Sequence, residues 1–286
     1  MEKREVPVGS VKELEQALER KIPLVAMLAP AFVAQFDYPQ IITQLRDLGF
    51  DKVVELTFAA KVVNHEYHKI IKKAGGKGLI ISTVCPGVVN TIKARFPQYE
   101  KNMIRVHSPM IVMARICKKY YPNHKVVFFA PCNNKKLEAA TTNDVDFAIG
   151  MDELPGLFDK HGVKPRKKKG EKFDMFYNEY TKVYPLAGGL AKTAHLKQVL
   201  KPEESLSIDG IAKVIEFLEN PDKNVKFLDA NFCIGGCIGG PLLAKGTPLE
   251  ERKKRVLAYV EKAVKTKIPI GGKGVLEKAR GIKITY

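Results

Sequence analysis

Three apolar runs in this chain end, within a few residues, in a cysteine. Leu79 to Ser82 runs into Thr83-Val84-Cys85-Pro86-Gly87, and Val126 to Phe129 into Ala130-Pro131-Cys132. Val225 to Asp229 leads to Phe232-Cys233-Ile234-Gly235-Gly236-Cys237-Ile238-Gly239-Gly240-Pro241. Short apolar runs bounded by turn residues read as buried strands, and the stretches between them space their apolar residues as one-faced helices do. Strands alternating with helices predict mainly parallel sheets, because each parallel connection needs a crossover. Ligands of such sheets lie beyond the carboxyl ends of the strands. Four sulfurs far apart in sequence are therefore predicted to converge on one point.

Taken in order, Ser10-Val11-Lys12-Glu13 is a capping box that opens a helix to about Arg20. Strands are predicted at Ile22 to Leu28, Val53 to Leu56 and Val145 to Ile149, besides the three that end in cysteine. Helices are predicted from Tyr38-Pro39 to Gly49, Ala60 to Lys73, Val88 to Arg95 and Met110 to Tyr121, with a helical turn at Asp152 to Lys160. Further helices fit Phe173 to Lys182, Leu190 to Leu200 and Ile208 to Glu219. Thr247-Pro248-Leu249-Glu250 reads as a second capping box, opening a helix to about Val264. From Ile268 the tail shows no clear period.

The expectation is an α/β fold of two lobes, each a mainly parallel sheet flanked by helices, with a metal-cluster site in the cleft between them. One lobe would take residues 20–107 with 205–286 and the other 108–204, all of 1–286 forming a single domain.

Apolar content of 45% and charged content of 28% are ordinary for a globular chain. No apolar run reaches the ~20 residues that span a bilayer, and Met1 to Glu5 lacks the apolar stretch of a signal peptide. A cytoplasmic protein with no membrane partner is expected. The net charge of +17 favours an anionic partner, but the basic run Arg166-Lys167-Lys168-Lys169 comes with no nucleic-acid motif, so a solvated Lys-rich surface is the expectation.

Five cysteines, an odd count without regular spacing, argue against a secreted disulfide scaffold. Thiolates bind soft metals, so an iron–sulfur cluster and zinc are the candidates for Cys85, Cys132, Cys233 and Cys237. A zinc site would draw on paired short knuckles, and the chain has one C-x3-C pair with no histidine joining it by spacing. A larger cluster suits separated ligands and a glycine-rich loop. The alternative is four small buried apolar side chains, the reading that fits Cys117 in mid-helix.

These segments resemble the catalytic domain of iron-only ([FeFe]) hydrogenases. Thr83 to Gly87, Ala130 to Glu138 and Cys233 to Gly240 look like its three signature loops. Ala29-Pro30-Ala31, His107-Ser108-Pro109 and Leu186-Ala187-Gly188-Gly189-Leu190 resemble its supporting segments. The resemblance covers about Leu24 to Pro241, and it describes a divergent, sensory-type member. It implies a [4Fe-4S] cluster on Cys85, Cys132, Cys233 and Cys237, with Cys237 also bridging to a diiron subcluster that carries CO and CN ligands. Lys135 would contact a cyanide and Glu138 would pair with it; without the resemblance, Lys135-Lys136 and Glu138 are a helix-start charge pattern. Ala29, Pro30, Ser108, Pro109, Gly235 and Gly236 would shape the cofactor pocket.

Departures from the family pattern matter too. The proton-relay cysteine of the family falls on Val84, which can neither accept nor donate a proton. Ala130, Asn231 and Met110 replace other pocket residues. Glu66 matches a proton-path glutamate, although a surface helix glutamate is the simpler reading. No accessory ferredoxin-like domain is seen, so electrons would come from an external carrier. The expected activity is slow or sensory activation of H2 (H2 = 2 H+ + 2 e-). The alternatives are a non-catalytic [4Fe-4S] protein of electron transfer or cluster assembly, and a zinc-stabilised binding module.

Overall fold

The computed structural model describes residues 8–166, 168 and 171–286; Lys167, Lys169 and Gly170 of the basic run, with Met1 to Pro7, lie outside the described residues. The chain opens with α1 (Val11–Glu19), β1 (Leu24–Leu28), α2 (Gln40–Leu48), β2 (Lys52–Glu55) and α3 (Thr57–Ala74). It continues through β3 (Ile80–Ile81), α4 (Pro86–Arg95), α5 (Pro109–Tyr120), β4 (Lys125–Ala130) and α6 (Asn133–Ala139). Then come β5 (Phe147–Gly150), α7 (Leu154–Lys160), α8 (Gly189–Thr193), β6 (Ser205–Asp209), α9 (Ile211–Glu219), β7 (Phe227–Asn231) and α10 (Leu249–Lys265).

The strands form two sheets, one ordered β2-β1-β4-β5 and the other β3-β7-β6, and every pair within them is parallel. Parallel strands are covered on both faces, so they read as unbroken apolar runs. Leu24 to Leu28 are all fully buried, and Val126 to Ala130 nearly so. A second, smaller core lies with the three-stranded sheet, where Val88 and Ile92 of α4 and Val214 and Leu218 of α9 gather with Ile81, Leu228 and Ala230. Both sheets point their carboxyl ends at the same cavity, described below.

Local signals hold at several boundaries. Ser10 caps α1 with its side chain, and Glu13 returns the bond to the Ser10 backbone. Gly49 ends α2 at φ 116°.

Elsewhere tertiary contacts overrule the local pattern. The sheets do not divide the chain at residue 107: β1 pairs with β2 on one side and β4 on the other, so the first strands share a sheet with 125–150 and not with 205–231. Position along the chain does not show this, because parallel pairing joins strands through long crossovers. Phe173 to Lys182 is no helix; a single 3-10 turn spans Tyr180–Val183. Its residues face different ways, because Asp174 accepts the Val53 N–H at 2.7 Å while Tyr177 bonds the Ala263 carbonyl. The predicted Leu190 to Leu200 helix stops at Thr193, since His195 takes a left-handed φ of 54°. Ile208 lies in strand β6 and not in a helix; the strand shows no apolar run because its residues are only half-buried. Thr247 does not cap α10; Pro248 holds the cap position with no side-chain bond.

Candidate metal centre

Each of the three cysteine loops follows a strand. Cys85 caps α4 just beyond β3, with Pro86 in the first turn. Cys132 caps α6 just beyond β4. Cys233 and Cys237 follow β7, the second within a 3-10 turn, Gly236–Gly239. The Pro131 carbonyl accepts the Leu242 N–H at 3.1 Å, which ties the Cys132 loop to the segment after Cys237. Cys237 donates its N–H to the Pro185 carbonyl at 2.8 Å. Arg252 of α10 clamps the glycine loop from outside through the Ile238 and Ala244 carbonyls, at 2.8 and 2.6 Å.

Glycine is required here by space. A Cβ on Gly236 would sit 2.7 Å from the Pro185 carbonyl oxygen and 2.8 Å from the Ala187 nitrogen, and its φ is 75°. A Cβ on Gly239 would lie 1.9 Å from the Ile234 oxygen.

All four thiols are half-buried, whereas Cys117 is fully buried within α5. Burial pushes the Cys237 thiol far up, and repulsion from Cys85 and Cys132 adds to it. The Cys233 thiol is pushed up to about 11 by burial and then by Cys132 and Cys85. Cys132 is also raised by burial, while backbone N–H groups of Lys135 and Asn134 and the Lys135 charge pull the other way. Phe232 donates its N–H to the Cys85 sulfur at 3.4 Å. The thiols thus feel one another as neighbours, and Cys85 and Cys132 have backbone donors already aimed at them. Among the described residues no three His, Cys, Asp or Glu side chains gather tightly enough for a single ion.

Cys85, Cys132 and Cys237 border a cavity of about 80 Å³ at the carboxyl ends of the strands. Ala29, Pro30, Pro109 and Lys135 line it, and so do Val84, Met110 and Asn231. Cys233, Ser108, Glu138, Gly235 and Gly236 are not on its wall; Ala130, though fully buried, is not either. Ser108 and Glu138 act one step back. Lys135 Nζ lies 2.6 Å from Glu138 Oε2, which also accepts the Ser108 hydroxyl at 3.0 Å. Lys135 and Glu138 are only 11% and 13% exposed, so this ion pair holds the ammonium beside the cavity. Gly235 instead fixes the loop, donating its N–H to Asp209 at 2.5 Å.

Two lining residues escape a reading of the sequence. Tyr184 has a buried hydroxyl with no hydrogen-bond partner, near Asp229 and Cys237. Asp229 is buried on β7, holds one bond from the Ala191 N–H, and is pushed up to about 6 by burial. A tyrosine in an irregular stretch and a lone acid in an apolar strand give no local signal; the acid inside the run is the one clue. Glu66 lies on α3 outside this wall, paired with Lys69 at 3.6 Å.

The donor chemistry fits an iron–sulfur group. Cys132, Cys233 and Cys237, raised by burial, would with Cys85 lose their protons to bound iron, which neutralises the thiolates. Backbone N–H donors to sulfur are the contacts that tune such groups. The orphaned Tyr184 hydroxyl leaves polar capacity in the adjoining cavity.

The family described as "Iron only hydrogenase large subunit, C-terminal domain" matches residues 22–241. Iron hydrogenase 1 of Clostridium pasteurianum is 23% identical over 255 residues, covering 70% of this chain and 44% of that protein. The NADP-reducing hydrogenase subunit HndD of Solidesulfovibrio fructosivorans is 27% identical over 283 residues, 77% of this chain and 48% of its own. The chain thus spans less than half the length of either. The cytosolic Fe-S cluster assembly factor NAR1 of Scheffersomyces stipitis is 27% identical over 162 residues, 49% of this chain and 30% of that one. Among solved structures, an apo [FeFe]-hydrogenase HydA1 from Chlamydomonas reinhardtii superposes with a TM-score of 0.69 at 15% identity, covering 94% of this chain and 91% of that one. A HydA structure solved in a study of stepwise H-cluster assembly superposes at 0.67, with 15% identity and 95% and 91% coverage. At these identities the superpositions establish the fold. The family match over 22–241 says more: this chain belongs to the iron-only hydrogenase family, as a relative of the C-terminal domain of its large subunit.

Proposed function

We propose that this protein is an iron–sulfur protein in which Cys85, Cys132, Cys233 and Cys237 hold a [4Fe-4S] cluster, with Cys237 bridging to a diiron subcluster in the adjoining cavity. The observation that carries the reading is the set of four neighbouring thiols at the carboxyl ends of strands from two sheets. Such a cluster, with its diiron partner, supplies reversible two-electron chemistry on H2. The residues of the chain bind, orient and shield it. Lys135, fixed by Glu138 and Ser108, presents an ammonium to an anionic ligand in an apolar cavity, where a charge-assisted contact is strong. Ala29, Pro30, Pro109 and Leu186 exclude water.

Val84 leaves the cavity wall without a proton-carrying group where the family pattern has one, so turnover is slow, as in a sensor. Electrons come from an external redox carrier. Its approach is at Ile234, 65% exposed beside Cys233, on a chain whose net charge of +17 favours an acidic partner. Among the described residues no helix is long and apolar enough to cross a membrane. A cytoplasmic setting, which keeps thiols reduced, suits the chemistry.

A second reading, a non-catalytic [4Fe-4S] protein, is favoured by one observation. The cavity is walled mainly by apolar groups, Val84 and Met110 among them. One experiment separates the two. After anaerobic loading with cluster and diiron cofactor, infrared bands of bound CO and CN are expected. Their absence, with brown [4Fe-4S] absorbance retained, leaves the non-catalytic reading; zinc without brown colour overturns both.

A further inference from the structure

A second cavity among the described residues is larger than the one at the thiol site. It measures about 590 Å³ and lies against the other side of α3. Ala60 of that helix lines the thiol cavity, while Lys61, Asn64, His65 and His68 line the larger one. Leu190 and Thr193 of α8 divide in the same way. The two cavities therefore share their walls.

Asn64 is 3% exposed, and its amide orientation is determined by a chain of bonds. Thr193 donates its hydroxyl to the Gly189 carbonyl at 2.6 Å, so it can only accept from Asn64 Nδ2, at 2.7 Å. That leaves Asn64 Oδ1 as a buried acceptor with no partner. A buried amide oxygen without a donor is unfavourable by itself, and its residue lines this cavity.

Charge on the wall is mostly positive. Lys61 holds its ammonium against the Gly274 carbonyl at 2.7 Å, Lys273 stands exposed at the rim, and Glu179 is the acid that faces them. His68 donates Nδ1–H to the Ala194 carbonyl at 2.9 Å, which frees its Nε2. His195 takes a left-handed backbone and stacks on Tyr180 at 4.9 Å and 11°, offering a flat edge at the mouth. The imidazoles are no metal set, since no three such donors gather among the described residues.

We propose that this second cavity binds a small organic anion carrying a hydroxyl or amino donor, with Asn64 Oδ1 accepting from the donor and Lys61 and Lys273 holding the charge. Through the shared walls of α3 and α8, its occupant bears on the thiol cavity. The binding claim does not rest on the cluster assignment.

Calorimetric titration of the purified full chain, with and without reconstituted cluster, tests it using citrate, glycerate and adenosine monophosphate. Acetate serves as the anion without a donor. At least one of the three is expected to bind about tenfold or more tighter than acetate, as a site built to accept a donor requires. Asn64→Leu should then remove about that advantage while leaving acetate unchanged, and Lys273→Met should weaken both. The proposal is overturned if none of the three outbinds acetate. It is equally overturned if Asn64→Leu binds as the parent does. Should Asn64→Leu fail to melt cooperatively, the exposed variants Lys273→Met and His195→Gly decide, and unchanged affinity in both overturns it. Binding without any cluster would support the pocket while leaving the metal reading to the infrared experiment.

Discussion

Val84 is 8% exposed and stands on the cavity wall immediately before Cys85. Replacing it by cysteine adds a titratable group at little change in volume. In protein loaded with the diiron cofactor, Val84→Cys is expected to raise H2 turnover by roughly 10²–10⁴, the contribution of one positioned acid–base group. Hydrogen evolution followed by gas chromatography checks this, and an unchanged rate would show that the pocket lacks more than that one link. Two other residues set opposite pH trends in stability. Asp229 is raised from 3.8 to about 6, chiefly by burial, so the folded state holds a proton that the unfolded state has lost. Its contribution therefore falls as pH rises from 4 to 6, by on the order of 2–3 kcal/mol. His107 is lowered from 6.5 to about 4, by burial and then by Arg115, so the unfolded state holds the extra proton and stability falls as pH drops through that window. The two nearly cancel in the parent. Denaturant melts from pH 4 to 6.5 should show stability rising more steeply with pH in Asp229→Asn, and flat or falling in His107→Gln.

The glycine loop after β7 is the element whose shape matters most. Gly236 has φ 75° and no room for a Cβ between two backbone atoms of the Pro185–Ala187 segment. Gly236→Ala must adopt a strained backbone and push that segment away, at a cost of about 2 kcal/mol or more. Because the same segment accepts the Cys237 N–H, the variant should also bind less iron, measured by brown absorbance per chain after reconstitution. The crowding glycines, Gly236 and Gly239, stand inside the motif that the sequence displays. By contrast, α8 and its break at His195 are not legible, because a left-handed histidine is a tertiary accommodation with no local signature. Strand β6 escapes notice for a related reason. Among the described residues it pairs only with β7 and none of its own residues is fully buried, so no apolar run marks it.

Across the whole molecule, distant parts of the chain are joined by a buried polar knot. Glu55, at the end of β2, pairs with Lys182, and Tyr259 of α10 donates to Glu55 at 3.0 Å. The Thr57 hydroxyl bonds the same carboxylate at 3.0 Å, and the Lys182 ammonium lies over the rings of Tyr259 and Tyr177 at 4.4 and 4.9 Å. Burial lowers the Lys182 pKa, while Glu55 opposes that shift. Lys182→Met leaves a buried carboxylate unpaired and is expected to destabilise by about 3–5 kcal/mol. The double variant with Glu55→Gln should recover part of that loss, because the stranded charge is gone. Chemical denaturation of the single and double variants measures both. Neither Glu55 nor Lys182 stands out in the sequence, since a buried ion pair between residues so far apart leaves no spacing to read.

By itself the sequence determined the period of its strands and helices and which cysteines follow strands, because those patterns arise from local backbone preference and from apolar runs. It also determined family membership, carried by three motifs in order and matched over residues 22–241. Tertiary structure alone decided how the strands sort into two sheets, since parallel pairing through crossovers is not encoded by proximity along the chain. It alone put Ser108 and Glu138 behind Lys135 and brought Tyr184 and Asp229 to the wall of the cavity that Cys237 also lines. It likewise opened a second cavity beside the first. Each of these depends on side chains meeting across elements, and the free energy of such meetings belongs to the packed chain, not to any stretch of it.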